Sequence, residues 1–231
     1  MIADKLARVH ERIASACAGA GRPVQSVTLL VVSKTFGPEA VREAFLAGAQ
    51  RFGENYVQEG SDKIDALLDL RARLEWHLIG PVQSNKTRLV AERFDWVHTV
   101  DRLKTAERLS AQRPAGLPPL AVCLQVNVSG EASKGGVAPA ELPALAHAVA
   151  VLPQLDLRGL MAIPEPVLAF DDQRRPFRAL RGLFDALRDD GLALDTLSMG
   201  MSADLEAAIA EGATIVRVGS AIFGARAPLP R

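Results

Sequence analysis

Three features of this chain have residue types and spacing suited to chemistry: an amine, a pair of small-residue loops and a cation inside an apolar run. Lys34 follows the run Val27-Thr28-Leu29-Leu30-Val31-Val32-Ser33, with Gly37, Pro38 and Glu39 close behind. A continuous apolar, β-branched run of this length reads as a strand buried on both faces, so the lysine leaves the core at the strand's carboxyl end. An ammonium partly withdrawn from water titrates low, and its neutral form attacks a carbonyl to give a Schiff base. The structural alternative is a lysine that snorkels to solvent.

Ser198-Met199-Gly200-Met201-Ser202 leads into Ala203-Asp204-Leu205-Glu206, where Ser202 is expected to cap a helix and leave amides for an anion. Val218-Gly219-Ser220 is a second such loop, in which glycine permits close backbone approach and Ser220 adds a hydroxyl donor. Taken singly, each reads equally well as a cap or a turn. Together, on neighbouring strand ends, they suit a phosphate, although the charge of Asp204 would compete for the same amides. Arg217 interrupts Thr214-Ile215-Val216-Arg217-Val218, and an unpaired guanidinium there is costly. It requires an acceptor, either the carboxylate of a structural ion pair or an atom of a ligand. His77, within Leu74-Glu75-Trp76-His77-Leu78-Ile79-Gly80, reads either as a satisfied core histidine or as a site group.

These residues need elements to position them. Apolar runs and helical stripes alternate from Val27 onward, with strands expected near 27–33, 50–54, 74–79, 95–100, 120–128, 156–163, 195–199 and 214–218. Helices are expected near 38–48, 56–70, 84–93, 102–112, 138–151, 173–189 and 203–211; in the sixth, Phe177, Leu180, Phe184 and Leu187 form one apolar stripe. Strict alternation implies parallel strands with right-handed crossovers. Eight such strands can close into a single-domain (β/α)8 TIM barrel, with an open doubly wound sheet as the other arrangement. An extra amphipathic N-terminal helix carries Ile2, Leu6, Val9 and Ile13 on one side and is expected to cover the place of an eighth helix, since no helix is expected after the last strand. In a barrel, Lys34, Glu54, Asn55, His77, Met161, Ser198 to Ser202 and Arg217 to Ser220 are expected to gather at one mouth, where such folds do their chemistry.

Composition narrows the function. The 27 basic and 27 acidic residues cancel and are interspersed, which argues against general affinity for nucleic acid or an anionic membrane. Cys17 and Cys123 lack zinc-ligand spacing and read as core packing. The start of the chain has no apolar signal core, and the uncharged stretch 142–155, interrupted by Pro143, His147 and Pro153, is too short to span a bilayer. A cytoplasmic protein is the expectation. Lys134, in a loop after the fifth strand, is a second candidate amine, with a solvated loop lysine as its alternative reading.

Four segments carry a resemblance. Phe52-Gly53-Glu54-Asn55-Tyr56-Val57-Gln58-Glu59, Trp76-His77-Leu78-Ile79-Gly80-Pro81-Val82-Gln83-Ser84-Asn85-Lys86, Ser198-Met199-Gly200-Met201-Ser202 and Val216-Arg217-Val218-Gly219-Ser220-Ala221-Ile222-Phe223-Gly224 resemble the signatures of the pyridoxal phosphate homeostasis family, single-domain relatives of the alanine racemase barrel. The resemblance spans nearly the whole chain. It implies pyridoxal 5'-phosphate bound to Lys34 as a Schiff base, its phosphate held by Ser202, Gly219 and Ser220, Arg217 facing the pyridine nitrogen, Asn55 near the ring, and His77 and Met161 as further neighbours. One ligand would then satisfy the amine, the anion cradle and the arginine together.

The resemblance also implies a role. Racemases of this fold use a tyrosine from a second domain as the opposing base, whereas the only tyrosine here is Tyr56, early on the second crossover helix, and the sequence ends at Arg231. The expectation is therefore a monomeric protein that stores, buffers or delivers pyridoxal phosphate, with dependent apo-enzymes as recipients and effects on amino-acid and keto-acid balance. The alternatives are a weak amino-acid racemase using the cofactor, or a cofactor-free Schiff-base aldolase in which Lys34 attacks a sugar-phosphate carbonyl.

Overall fold

A computed structural model describes residues 1–129 and 135–224. Eight parallel strands, β1 (Thr28–Val32), β2 (Arg51–Glu54), β3 (Glu75–Leu78), β4 (Trp96–Val100), β5 (Leu120–Gln125), β6 (Leu155–Met161), β7 (Thr196–Met201) and β8 (Ile215–Val218), close into a barrel in sequence order. Closure is made by β1 and β8, with Leu30 opposite Arg217 and Val31 opposite Val218. The helices are α1 (Ile2–Gly19), α2 (Pro38–Leu46), α3 (Val57–Ala66), α4 (Thr87–Arg93), α5 (Leu103–Gln112), α6 (Leu142–Ala150), α7 (Phe170–Asp189), α8 (Leu205–Ala210) and α9 (Ser220–Phe223).

Residues two apart on a strand share a face, and this divides the core. Outward residues such as Phe52, Trp76, Leu78, Val216 and Val218 join one large apolar cluster beneath the helices. Leu30, Val32, Ile79 and Ile215 form a separate small cluster, and the interior alternation also carries His77, His98, Ser198 and Arg217, all at most 3% exposed. The barrel interior is thus unusually polar, and each of those groups needs a partner.

Three departures from expectation stand out. A four-residue helix, α9, does follow the last strand, because Gly219 turns the chain sharply enough for Ile222 and Phe223 amides to return to its carbonyl. α1 nevertheless packs against α8, α9 and α2, the place expected for it. The helix expected over 56–70 stops at Ala66 and continues as a 3-10 segment, Leu68–Arg73. β7 runs two residues further than its apolar run, through Gly200 at φ +90°, where a Cβ would stand 2.5 Å from Ala208 Cβ. Cys17 and Cys123 are buried free thiols, as expected.

Candidate functional site at the carboxyl mouth of the barrel

Lys34 stands two residues past β1, half-buried, in a turn whose next residue, Thr35, has φ +69°. Ser33 still donates its amide to Gly53 O at 3.1 Å, so the ladder with β2 persists up to the residue before the lysine. Across the closing seam, Gly219 is packed so tightly against β1 that a Cβ would stand 2.9 Å from Val32 O. Phe36 and Phe223 stack at 4.8 Å between ring centroids, tying the Lys34 loop to α9. The amine and the last loop are therefore neighbours.

Ser202 and Ser220 come together as the paired-loop reading requires, with hydroxyls 3.3 Å apart. Ser202 does not cap α8. Asp204 occupies that position and turns its carboxylate back to accept the Met201 amide at 2.6 Å. Burial raises the Asp204 carboxyl above its usual range, with the Met201 hydrogen bond opposing. Asp204 therefore takes one amide of this loop for itself, the competition expected from the sequence. Arg12 of α1 fastens the same loop from outside, donating to Ser202 O at 3.0 Å while pairing with Glu206 at 2.8 Å. The extra N-terminal helix thus supports the loop that carries Ser202.

Arg217 is 3% exposed, and its acceptors are not carboxylates. One terminal nitrogen donates to Ser198 O at 2.6 Å and Ser198 Oγ at 2.8 Å, and the other to Ala162 O at 2.9 Å. Among the described residues no carboxylate lies within ion-pair distance, so the structural ion pair is not the arrangement adopted. A guanidinium carries five N–H donors, and these three bonds leave two for another acceptor. Burial pushes Arg217 down to about 10, with Asp204 and Cys123 opposing, so it is protonated at neutral pH.

Sequence reasoning missed what stands behind this arginine. Ser198 Oγ lies 2.7 Å from His98 Nδ1, His98 Nε2 lies 2.8 Å from His77 Nδ1, and His77 Nε2 lies 2.8 Å from Glu75 Oε1. Burial lowers both histidines, His98 well below the usual range, with the neighbouring His77 and the Arg217 charge adding to the effect. Burial pulls Glu75 upward, but the His77 hydrogen bond and the Arg51 charge outweigh it and hold the carboxyl low. Neutral histidines and an ionised Glu75 give one consistent proton order: Ser198 donates to His98, His98 to His77 and His77 to Glu75. Every link points away from Arg217, which keeps its own protons.

This chain relocates His77. Its ring lines a cavity of about 370 Å³ with Thr28, Arg51, Glu75, Trp96 and Arg158, at the amino ends of the strands. His77 therefore does not join the mouth cluster and reaches it only through His98 and Ser198. Met161 ends β6, fully buried, opposite Ser198. Asn55 follows β2, half-buried, with its carbonyl packed so closely on Gly80 that a Cβ there would lie 2.0 Å away. Lys134 lies outside the described residues.

Residues 5–227 match the family model described as the alanine racemase N-terminal domain. The chain is 63% identical over 225 residues to the pyridoxal phosphate homeostasis protein of Pseudomonas aeruginosa, covering 97% of this chain and 96% of that one. Its identity to the protein of the same name from Escherichia coli K12 is 55% over 226 residues, 97% of each chain. The solved structure of PipY of Synechococcus elongatus with PLP bound is similar at a TM-score of 0.85 and 39% identity, over 97% of this chain and all of that one. The barrel, the order of its strand-end residues and these likenesses agree that the chain belongs to the pyridoxal phosphate homeostasis family, built on the alanine racemase N-terminal fold.

Proposed function

We propose that this chain binds pyridoxal 5'-phosphate at the carboxyl mouth and acts in its homeostasis, storing, buffering or delivering it. The observation that carries the reading is Arg217, a buried cation with two donors left over beside the strand end that bears Lys34. The mouth residues fit the group. Lys34 would supply the amine that holds the aldehyde end. Ser202 and Ser220 supply facing hydroxyls for the phosphate, and Gly219 admits the backbone close to it. Arg217 supplies a donor for the ring nitrogen, with Asn55 and Met161 bordering the same mouth and His77 acting through His98. Bound pyridoxal phosphate supplies an electron sink whose strength depends on the charge of its ring nitrogen.

Arg217 favours holding over turnover. A protonated guanidinium would donate to the ring nitrogen and cannot accept a proton from it, which would leave the ring neutral and the sink weak. The only tyrosine, Tyr56, is exposed and precedes α3. We therefore read the protein as a carrier, a cytoplasmic monomer that passes the cofactor to dependent apo-enzymes. Among the described residues, no helix is long and apolar enough to cross a membrane.

Addition of pyridoxal phosphate to the cofactor-free protein tests the reading. A saturable visible absorbance band is expected; protein that stays colourless overturns it. Loss of α-deuterium from labelled amino acids separates carrier from racemase, and turnover on the order of 1 per second or faster contradicts the carrier.

A further inference from the structure

Lys63, on α3, has no part in the site described above, yet its side chain is only 5% exposed. It donates to Ser33 O at 2.7 Å, Glu54 Oε1 at 2.8 Å and Glu59 Oε1 at 2.7 Å, which uses all three of its N–H donors. The same Glu54 oxygen accepts the Ser33 hydroxyl at 2.5 Å, and the same Glu59 oxygen accepts the Thr35 amide at 2.5 Å. Both neighbours of Lys34 are therefore fixed to one buried cluster, the residue before it by hydroxyl and carbonyl, the residue after it by its amide.

The direction of this fixation matters. Glu54 lies on the outward face of β2, where a Cβ on Gly60 of α3 would touch it at 3.2 Å, so the cluster sits between the barrel wall and α3. Ser33 remains in the β1–β2 ladder with its hydroxyl held outward on Glu54, and Lys34 begins the turn that follows, which the Phe36 amide closes by donating to Ser33 O at 3.1 Å. Thr35 then leaves the strand in the left-handed region, which a β-branched residue adopts only when its surroundings impose it. The Thr35 amide is held there by Glu59. We propose that Lys63, Glu54 and Glu59 are positioning residues for Lys34, fixing the backbone on both sides so that its amine enters the mouth. The cluster places two carboxylates on one ammonium, and Glu54 Oε2 is buried without a partner; burial raises the Glu54 carboxyl, with Lys63 opposing.

The inference rests on the proposed role of Lys34, and its test separates the two. Wild type, Glu59→Gln, Glu59→Ala and Lys63→Met are compared for the rate at which borohydride with limiting pyridoxal phosphate fixes label on Lys34, and for the pH profile of Lys34 acylation by acetic anhydride without the cofactor. Glu59→Gln keeps an acceptor for the Thr35 amide and should stay near wild type. Glu59→Ala removes it from a partly exposed position, which spares the fold, and should slow labelling of Lys34 by on the order of tenfold or more, as small misplacements of a reacting group do. The acylation profile of Lys34 should move in Glu59→Ala and in Lys63→Met. Glu59→Ala that labels and acylates like wild type overturns the positioning role, whether or not Lys63→Met folds. Wild type that takes no label, while acetic anhydride still separates the variants, overturns the cofactor reading alone.

Discussion

The neutral histidine pair in the barrel interior makes stability depend on pH in a direction that can be worked out. His98 and His77 are fully enclosed, and burial lowers both from the ordinary value of 6.5, His98 furthest. Below that value the unfolded chain binds protons that the folded chain refuses, so the stability of the neutral pair is present above about pH 6.5 and is lost as pH falls. For one histidine whose folded form stays neutral, the loss between about pH 7.5 and pH 5.5 is about 1.4 kcal/mol, or RT ln(1 + 10) less a negligible term at the upper pH. Other groups titrate in the same range. Glu54 and Asp204, both raised chiefly by burial, act in the opposite sense as pH falls.

Comparison with His98→Gln cancels those groups. Glutamine keeps a donor and an acceptor but does not titrate, so the stability difference between wild type and His98→Gln should shift by about 1.4 kcal/mol against wild type on acidification. Urea unfolding of the cofactor-free proteins at the two pH values measures it. Parallel pH dependence of the two proteins would refute the neutral assignment of His98, and with it the proton order from Ser198 to Glu75.

Other consequences follow from the same contacts. Ser198→Ala removes one acceptor of Arg217 and leaves His98 Nδ1 buried without a partner, a loss of about 2–4 kcal/mol that calorimetry should read as a fall of about 4–16 °C at this chain length; a fall under about 1 °C contradicts the network. Gly219→Ala places a Cβ 2.9 Å from Val32 O; it should weaken pyridoxal phosphate binding by on the order of tenfold or more, measured by absorbance titration, and unchanged affinity contradicts the close-approach role of this loop.

The barrel and its mouth were legible in the sequence because both rest on local pattern. Strands buried on both faces are continuous apolar runs, and Lys34, Ser202 and Ser220 each end one. Even so, β7 exceeds its apolar run, since Gly200 extends pairing through a conformation that periodicity does not encode. α9 is too short to show a stripe, and the end of α3 gives no cap signal. The support behind the site was hidden for a different reason. His98 lies in Trp96-Val97-His98-Thr99-Val100, an ordinary alternation, and its partner Ser198 is 100 positions away. Lys63 and Glu59 stand four apart on α3, a spacing common to exposed helical ion pairs, and drew no attention in the sequence. Only closure of the barrel, which sets α3 against the ends of β1 and β2, buries that pair beside Ser33.

The central claim is that Lys34 holds pyridoxal phosphate at this mouth. Borohydride reduction of the cofactor-loaded protein followed by peptide mapping, on wild type and Lys34→Ala, tests it most directly. A pyridoxyl group on the Lys34 peptide of wild type, absent from Lys34→Ala, is the expected result. Label on Lys86 or Lys134 in place of Lys34, or wild type and variant labelled alike, would contradict it.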